Sequence, residues 1–137
     1  MPYQLNFDLV QSYNLEKIGI TIPVRFHSGS RAIDVAARLD TGATFCIFER
    51  LIGEDLGLEI EKGQQQLIGA VTGTFLTFGH FITFSVEDLD FEGMVYFAKD
   101  YAFNRNVLGR IGFLNRVLIG LNDYAGKLYL SQKIDNE

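Results

Sequence analysis

The sequence contains few of the residues on which several common kinds of catalytic or metal site depend. Its 137 residues include one cysteine, two histidines, two prolines and no tryptophan. The single cysteine, Cys46, cannot form an internal disulfide, which suits a reducing compartment, and we interpret it as a small apolar core residue. With so few histidines and cysteines, and without a Gly-x-Ser-x-Gly motif, the chain is poorly equipped for a structural zinc site or for serine or cysteine hydrolase chemistry.

The charge balance argues against one large class of partner. Acidic residues outnumber basic ones by 17 to 12, and the net charge is −5. These charges are spread along the chain, whereas binding to a phosphate backbone requires clustered Lys and Arg. We therefore predict that nucleic acid is not a partner.

A long uncharged stretch, residues 63–86, has to be considered as a membrane span, because its length is enough to cross a bilayer. Three consecutive glutamines lie near its start, and its second half alternates large apolar residues with small or polar ones, which is typical of a strand. Residues 1–10 include Asp8 and have no basic start, which argues against a secretory signal peptide. We therefore expect a cytoplasmic protein that does not associate with membranes.

Alternation with period two runs through much of the chain and predicts an all-β protein. The clearest run covers residues 18–26, and a Ser-Gly-Ser turn leads to a partner strand over residues 33–39 that ends at Asp40. A chain of this length is expected to form a single domain, residues 1–137, with its own core. The other predicted parts are an N-terminal strand or extension (about 1–17), a short helix (49–56), a turn (88–93), a strand (94–98), a helical turn near residue 116, a hairpin (117–130) and a polar tail (131–137).

Asp40 is the most informative residue, because it places a carboxylate at the end of an apolar strand and directly before a turn. Leu39 and Ala43 flank it, so partial burial is expected, and an ionised carboxylate in such a place needs hydrogen-bond donors. Thr41 offers a hydroxyl and a backbone N–H, and Gly42 offers an N–H that no Cβ obstructs. The segment is therefore predicted to hold a carboxylate at a turn.

The sequence Asp-Thr-Gly-Ala at residues 40–43 resembles the active-site motif of the aspartic proteases, and the short chain resembles their retropepsin-like branch. Two further segments carry the resemblance. Leu-Gly-Leu at residues 56–58 ends the predicted helix at a distance from the motif that is common in small bacterial proteins of this kind. Val-Leu-Gly-Arg at residues 107–110 resembles the element that lies beside the aspartate loop, where a side chain at Gly109 would push the two apart.

The resemblance implies a retropepsin-like closed barrel with one or two short helices and a flap, the mobile hairpin that closes over substrate. It implies an aspartic endopeptidase that needs no metal or organic cofactor. Because the motif occurs once and the reaction needs two carboxylates, it also implies a homodimer that cleaves a polypeptide. The site residues that it implies are catalytic Asp40; Thr41, Gly42 and Ala43 of the active-site loop; Gly69, Ala70, Val71, Thr72 and Gly73 of the flap; and Val107, Leu108, Gly109 and Arg110, which support the loop.

Other interpretations of the sequence stay open. The segment 67–75 is also compatible with an ordinary β-hairpin, and a dimeric peptide-binding or scaffold domain with the same fold would hydrolyse nothing. A β-rich carrier of small ligands would explain the apolar strands but not the Asp-Thr-Gly and Val-Leu-Gly segments. Retroviral members often carry acidic or amide residues where this chain has Thr44 and Ile111. The resemblance therefore does not extend to substrate preference.

Overall fold

The computed structural model describes residues 1–133, which form mainly β-strands joined by short turns. The strands are β1 (Leu9–Ser12), β2 (Thr21–Ser28), β3 (Arg31–Leu39), β4 (Ile47–Phe48), β5 (Gln64–Ala70), β6 (Gly73–Val86), β7 (Leu89–Ala98), β8 (Val107–Leu108), β9 (Val117–Asn122) and β10 (Lys127–Gln132). The helical segments are α1 (Arg50–Asp55) and two 3₁₀ turns, Ile60–Lys62 and Leu114–Arg116.

The strands form two sheets. The larger sheet has seven strands in the order β2-β3-β8-β4-β7-β6-β5, and β2 also pairs with β6, so that the sheet partly closes on itself. The smaller sheet has the order β1-β10-β9 and joins the N-terminal strand to the last hairpin. This strand-rich, partly closed architecture confirms the predicted all-β class.

The first hairpin shows how the apolar pattern sets the orientation of the strands. Every second residue of β2 from Ile22 to Phe26 is buried, while the residues between them face solvent. A two-residue turn, Gly29-Ser30, joins β2 to β3, and Gly29 has a φ of +58°, which glycine adopts without a Cβ clash. The apolar alternation thus decides which face of the hairpin enters the core.

The buried side chains form one hydrophobic cluster to which both sheets contribute. The ring of Phe26 meets the ring of Phe48 edge to face, with 4.8 Å between the centroids. Leu128 and Leu130 of β10 join the same cluster. Each such fully buried side chain contributes about 2 kcal/mol by leaving water, so hydrophobic packing attaches the smaller sheet to the larger one.

The helix α1 lies where the sequence predicts it. Glu49 and Leu56, its predicted ends, are the residues that cap it. Gly57 follows with a φ of +86°, the left-handed conformation that commonly terminates a helix. The helix is six residues long, and within residues 1–133 no helix is long and apolar enough to cross a bilayer.

Several predicted strand starts are wrong: β3 begins at Arg31 rather than at residue 33, and two larger errors lie at turns that periodicity does not reveal. β2 begins at Thr21 rather than at residue 18, because the chain turns at Gly19, which has a φ of +78°, and Ile18 is 85% exposed. β7 begins at Leu89 rather than at residue 94. The turn before it has only two residues and includes Glu87, which has a φ of +52°.

Both ends of the chain also differ from the prediction. The N-terminal strand begins at Leu9, opposite Leu130, and not near Leu5, which is exposed. At the other end β10 continues through Ser131 to Gln132. Backbone pairing with β9 extends this strand, although its last side chains are polar. Residues 134–137 of the predicted tail lie outside the described residues.

Candidate active site

Asp40 directly follows β3, where two hydrogen bonds hold its backbone and a third reaches its carboxylate. Its N–H donates to the carbonyl oxygen of Leu108, with 3.0 Å between nitrogen and oxygen. Its Oδ1 accepts a hydrogen bond from the N–H of Gly42 at 2.8 Å, and its carbonyl oxygen accepts one from the N–H of Ala43 at 3.2 Å. The side chain is half-buried. The expected backbone donor at Gly42 is therefore present, and it orients one carboxylate oxygen.

The β8 segment supports the Asp40 turn. β8 pairs in parallel with the end of β3, and beyond it the N–H of Arg110 donates to the carbonyl oxygen of Ala43 at 2.9 Å. A Cβ on Gly109 would lie 2.3 Å from the carbonyl oxygen of Phe45 and 2.7 Å from that of Ala43. Both neighbours are backbone atoms that cannot rotate away. The predicted need for glycine at this position is confirmed.

Cys46 lies behind the turn and has the predicted character of a core residue. Its side chain is 1% exposed, and its sulfur accepts a hydrogen bond from the N–H of Gly109, with 3.4 Å between nitrogen and sulfur. Burial raises the pKa of the Cys46 thiol to about 11, even though the Gly109 N–H and the charge of Arg116 act in the opposite direction. The thiol is therefore protonated at neutral pH.

We expect Cys46 to resist alkylation in the native protein at about pH 8, because the thiolate is the reactive form and burial suppresses it. In guanidinium chloride the same thiol becomes exposed and is expected to react completely. Mass spectrometry after iodoacetamide treatment measures both outcomes. Equal rates of modification in the native and unfolded protein would contradict the buried position.

A cleft of about 530 Å³ lies between the Asp40 turn and the hairpin formed by β5 and β6. Its volume is in the range of sites that hold small molecules or short segments of larger ones. Most of the lining is apolar or small, and Asp40 is its acidic group. The lining residues are Asp40, Gly42, Ala43, Thr44, Phe45, Ile47, Leu67, Ile68, Gly69, Ala70, Val71, Thr72, Phe75, Phe103, Arg105 and Val107.

The hairpin of β5 and β6 has the position and form expected of a flap. The paired strands leave Val71 and Thr72 at the tip, and Val71 is fully exposed. Gly73 has a φ of +127°, which a residue with a side chain rarely adopts. Gly69, Ala70 and the two tip residues line the cleft. The tip of the hairpin therefore presents mainly backbone groups and small side chains to the cleft, and large apolar side chains line it further along the strands.

Comparisons with known proteins agree with this architecture. No protein-family model and no curated protein matches the sequence. Among solved structures, EIAV protease complexed with the inhibitor HBY-793 is similar, with 24% identity, a TM-score of 0.56, and coverage of 73% of this chain and 88% of that chain. A retropepsin-like aspartic protease from Rickettsia conorii is similar with a TM-score of 0.67 and 14% identity, covering 88% of this chain and 96% of that chain. This chain has the retropepsin fold.

Within the retropepsin fold, eight of the predicted site residues line the cleft and five do not. Those that line it are Asp40, Gly42, Ala43, Gly69, Ala70, Val71, Thr72 and Val107. Thr41 and Gly73 are exposed outside the lining, and so is Arg110. Leu108 and Gly109 are buried behind the turn, where they support it, and the functional roles of all thirteen stay predictions.

Phe75, Phe103 and Arg105 also line the cleft of this retropepsin fold, and they are not among the site residues predicted from the sequence. The rings of Phe75 and Phe103 stack with 5.0 Å between their centroids. The guanidinium carbon of Arg105 lies 5.6 Å from the centroid of the Phe103 ring. In the sequence, Phe103 stands out as an aromatic residue followed by three polar residues, 104–106. No local pattern, however, shows that this loop folds against the cleft.

The described part of the chain offers no obvious metal centre. Among residues 1–133, no three His, Cys, Asp or Glu side chains lie close enough together to hold a metal ion. The acid–base group of the cleft is Asp40, and Arg105 is the cation that shares the lining with it.

Proposed function

We propose that this protein is an aspartic endopeptidase that acts as a homodimer, in which each subunit contributes Asp40. The observation that carries the proposal is the position of Asp40, on the lining of a cleft beneath a flap-like hairpin in a retropepsin fold. Both similar structures are proteases by their descriptions. A peptide is the substrate class that suits a cleft bordered by a β-hairpin, because exposed strand backbone can pair with an extended peptide.

The dimer follows from the chemistry. Hydrolysis of this type uses two carboxylates facing one water, and one Asp-Thr-Gly segment is present per chain. Thr41 and Gly42 are exposed beside the half-buried Asp40, so the turn is accessible to a second copy. A twofold axis passing near this turn would bring the two Asp40 side chains together.

In such a dimer the two carboxylates act in different protonation states. At a separation of about 3 Å they would repel by roughly 5 kcal/mol at an effective dielectric near 20, so they share one proton, as is established for aspartic proteases in general. The ionised Asp40 removes a proton from the water, and the protonated Asp40 donates a hydrogen bond to the scissile carbonyl oxygen. The Gly42 N–H that binds Oδ1 keeps the carboxylate oriented throughout.

The remaining site residues have roles that fit their positions. The flap residues cover the bound peptide, and the exposed Thr41 hydroxyl contacts the partner subunit. Gly42 contacts the substrate backbone, and the 107–110 segment holds the turn in place. The reaction requires no metal or organic cofactor. A cytoplasmic location, without nucleic-acid or membrane partners, fits the single buried thiol and the dispersed charge.

Sedimentation and peptide digestion test the proposal together. We expect a dimer by sedimentation equilibrium, and we expect the protein to cleave members of a peptide library. A peptide analogue with a hydroxyl in place of the scissile amide should inhibit cleavage, since it resembles the tetrahedral intermediate. A protein that is monomeric at all concentrations and binds no peptide contradicts the proposal. A dimer that binds peptides without cleaving them favours the alternative of a catalytically silent binding domain.

A further inference from the structure

The cleft contains a cation without a protein counter-ion. Arg105 and Asp40 are the charged residues of the lining, and the rest of it is uncharged. Among residues 1–133, Arg105 takes part in no ion pair. An arginine that lines a mainly apolar cleft without a carboxylate partner is suited to bind an anionic group from a ligand, often through two parallel N–H donors.

Aromatic packing holds Arg105 at the cleft. The guanidinium carbon lies over the Phe103 ring, 5.6 Å from its centroid, within the range of a cation–π interaction. Phe103 in turn stacks on Phe75, which belongs to the longer strand of the flap-like hairpin. The guanidinium group of Arg105 therefore packs against a pair of stacked rings, one from the loop and one from the hairpin. This packing already restricts the Arg105 side chain, so less side-chain entropy is lost when Arg105 binds a ligand.

Hydrogen bonds to other elements of the fold anchor both ends of the loop that contains Arg105, residues 99–106. Near its start the hydroxyl of Tyr101 donates to Glu54 of α1, with 2.5 Å between the oxygens. At its end the Asn106 side-chain oxygen accepts a hydrogen bond from the N–H of Glu49 at 3.0 Å, and its carbonyl oxygen accepts one from the N–H of Arg38 at 2.8 Å. The position of Arg105 thus depends on fixed elements of the fold.

A second arginine lies beside this position. A smaller depression of about 190 Å³ shares Arg105 and Val107 with the cleft, and Arg38 also lines it. The lining of this depression includes two arginines and no acidic residue. Positively charged side chains are therefore concentrated beside Val107, which suits a negatively charged ligand group there, although the protein as a whole is acidic.

We propose that Arg105 makes the cleft selective for peptides that carry Asp or Glu close to the bond that is cleaved. This inference rests on the proposed peptidase function and adds the substrate class to it. In a twofold dimer each subunit supplies one Arg105, so an acidic residue is favoured on either side of the bond. The carboxylate binds the guanidinium, while the neighbouring substrate residues occupy the apolar lining formed by Phe45, Ile47 and Leu67.

Matched peptides test the selectivity. A digest of a peptide library with the wild-type protein identifies a cleaved sequence with Glu near the bond, and the same peptide is then made with Gln in place of Glu. We expect kcat/KM to be about tenfold higher for the Glu peptide, the effect of one charge-assisted hydrogen-bonded pair. In Arg105→Gln the ratio should fall to about one, and in Arg105→Glu a Lys peptide should become the better substrate.

The exposed Arg25, which pairs with Asp34 outside the cleft, provides the matched control. Arg25→Gln removes the same charge and should retain the wild-type ratio. Equal cleavage of the Glu and Gln peptides by the wild type, or an unchanged ratio in Arg105→Gln, would overturn the selectivity and leave the peptidase function standing.

If the wild type cleaves no peptide, the peptidase proposal fails, and the preference for acidic peptides is tested separately by binding. The selectivity is then measured on the wild-type protein, by fluorescence anisotropy, as the ratio of Kd values for library peptides that differ only in having Glu or Gln at one position. A ratio near one, or no binding of either peptide, overturns it.

Discussion

Asp40→Asn is expected to lower kcat/KM for peptide cleavage by at least about 10⁴-fold, because the amide can neither accept a proton from the attacking water nor share one with its partner. In the dimer both copies change at once, so no carboxylate remains at the centre of the site. A peptide that the wild type cleaves within minutes should therefore persist.

The same substitution is expected to leave folding and dimerisation intact. The backbone N–H of Gly42 donates to Oδ1 of Asp40 at 2.8 Å, and the side-chain oxygen of Asn accepts the same hydrogen bond. The substitution also preserves the size of the side chain, so the packing beside Leu39 and Ala43 is unchanged. Circular dichroism and sedimentation equilibrium of the variant should match those of the wild type.

Asp88→Asn is the matched control for this experiment. Asp88 lies in the exposed turn between β6 and β7 and does not line the cleft. The control makes the same chemical change and should leave the cleavage rate within about twofold of the wild type. Retained cleavage in Asp40→Asn, with full activity in the control, would falsify the assignment of Asp40 as the catalytic acid.

Gly109→Ala is expected to destabilise the protein by about 3 kcal/mol, a large effect for the addition of one methyl group. The new Cβ would lie 2.3 Å from the carbonyl oxygen of Phe45 and 2.8 Å from its carbonyl carbon. Phe45 belongs to the segment that follows the Asp40 turn, and its backbone atoms cannot rotate away. The contact can therefore be relieved only if this segment and the segment that contains Gly109 move apart. Urea unfolding, followed by fluorescence of the tyrosines or by circular dichroism, measures the change.

Relief of this contact is also expected to move the Asp40 turn. The N–H of Arg110 donates to the carbonyl oxygen of Ala43, and the N–H of Asp40 donates to the carbonyl oxygen of Leu108. Both hydrogen bonds span the interface that the new methyl group would open. We therefore expect the folded fraction of Gly109→Ala to lose peptidase activity as well, because a displacement of even about 1 Å at a reacting group lowers rates strongly.

Gly69→Ala is the matched control for Gly109→Ala. It makes the same glycine-to-alanine change at a position without the steric contact. A Cβ on Gly69 would meet no atom within 4 Å, so the free energy of unfolding of this control should stay within about 0.5 kcal/mol of the wild-type value. Similar stability losses in the two variants would show that the tight contact at Gly109 is not the cause. Gly69 lines the cleft, and the comparison is therefore made on stability alone.

The parts of the fold that were predicted from the sequence are those that short-range patterns encode. The alternation from Ile22 to Phe26 gave the correct buried face, and Gly57 correctly ended α1. The hydrogen bond from Gly42 to Asp40 is also local, since the two residues are two positions apart. Such features depend on the conformational preferences of a few neighbouring residues, and for that reason the sequence reports them directly.

The wrong boundaries have a common physical cause. The start of β2 depends on where the chain turns at Gly19, and the start of β7 depends on a two-residue turn that includes Glu87, a non-glycine residue with positive φ. At Ser131 and Gln132, polar side chains continue a strand because its backbone has a partner in β9. In each case a backbone turn or backbone pairing decided where the strand begins or ends, and hydrophobic alternation records neither.

The sequence by itself determined the all-β class and the turn that orients the carboxylate of Asp40, because each depends on the conformational preferences of residues that are close in the sequence. The glycine of the 107–110 segment was predicted from a family resemblance, and it is required because the fold brings residues 43 and 45 against it. The tertiary structure alone decided that Phe75, Phe103 and Arg105 share one cleft with Asp40. Phe75 and Phe103 are far apart in the sequence, and they meet because the order of strands in the larger sheet and the hydrogen bonds of Tyr101 and Asn106 position their segments. That placement follows from the packing of the whole chain, and no local pattern contains it.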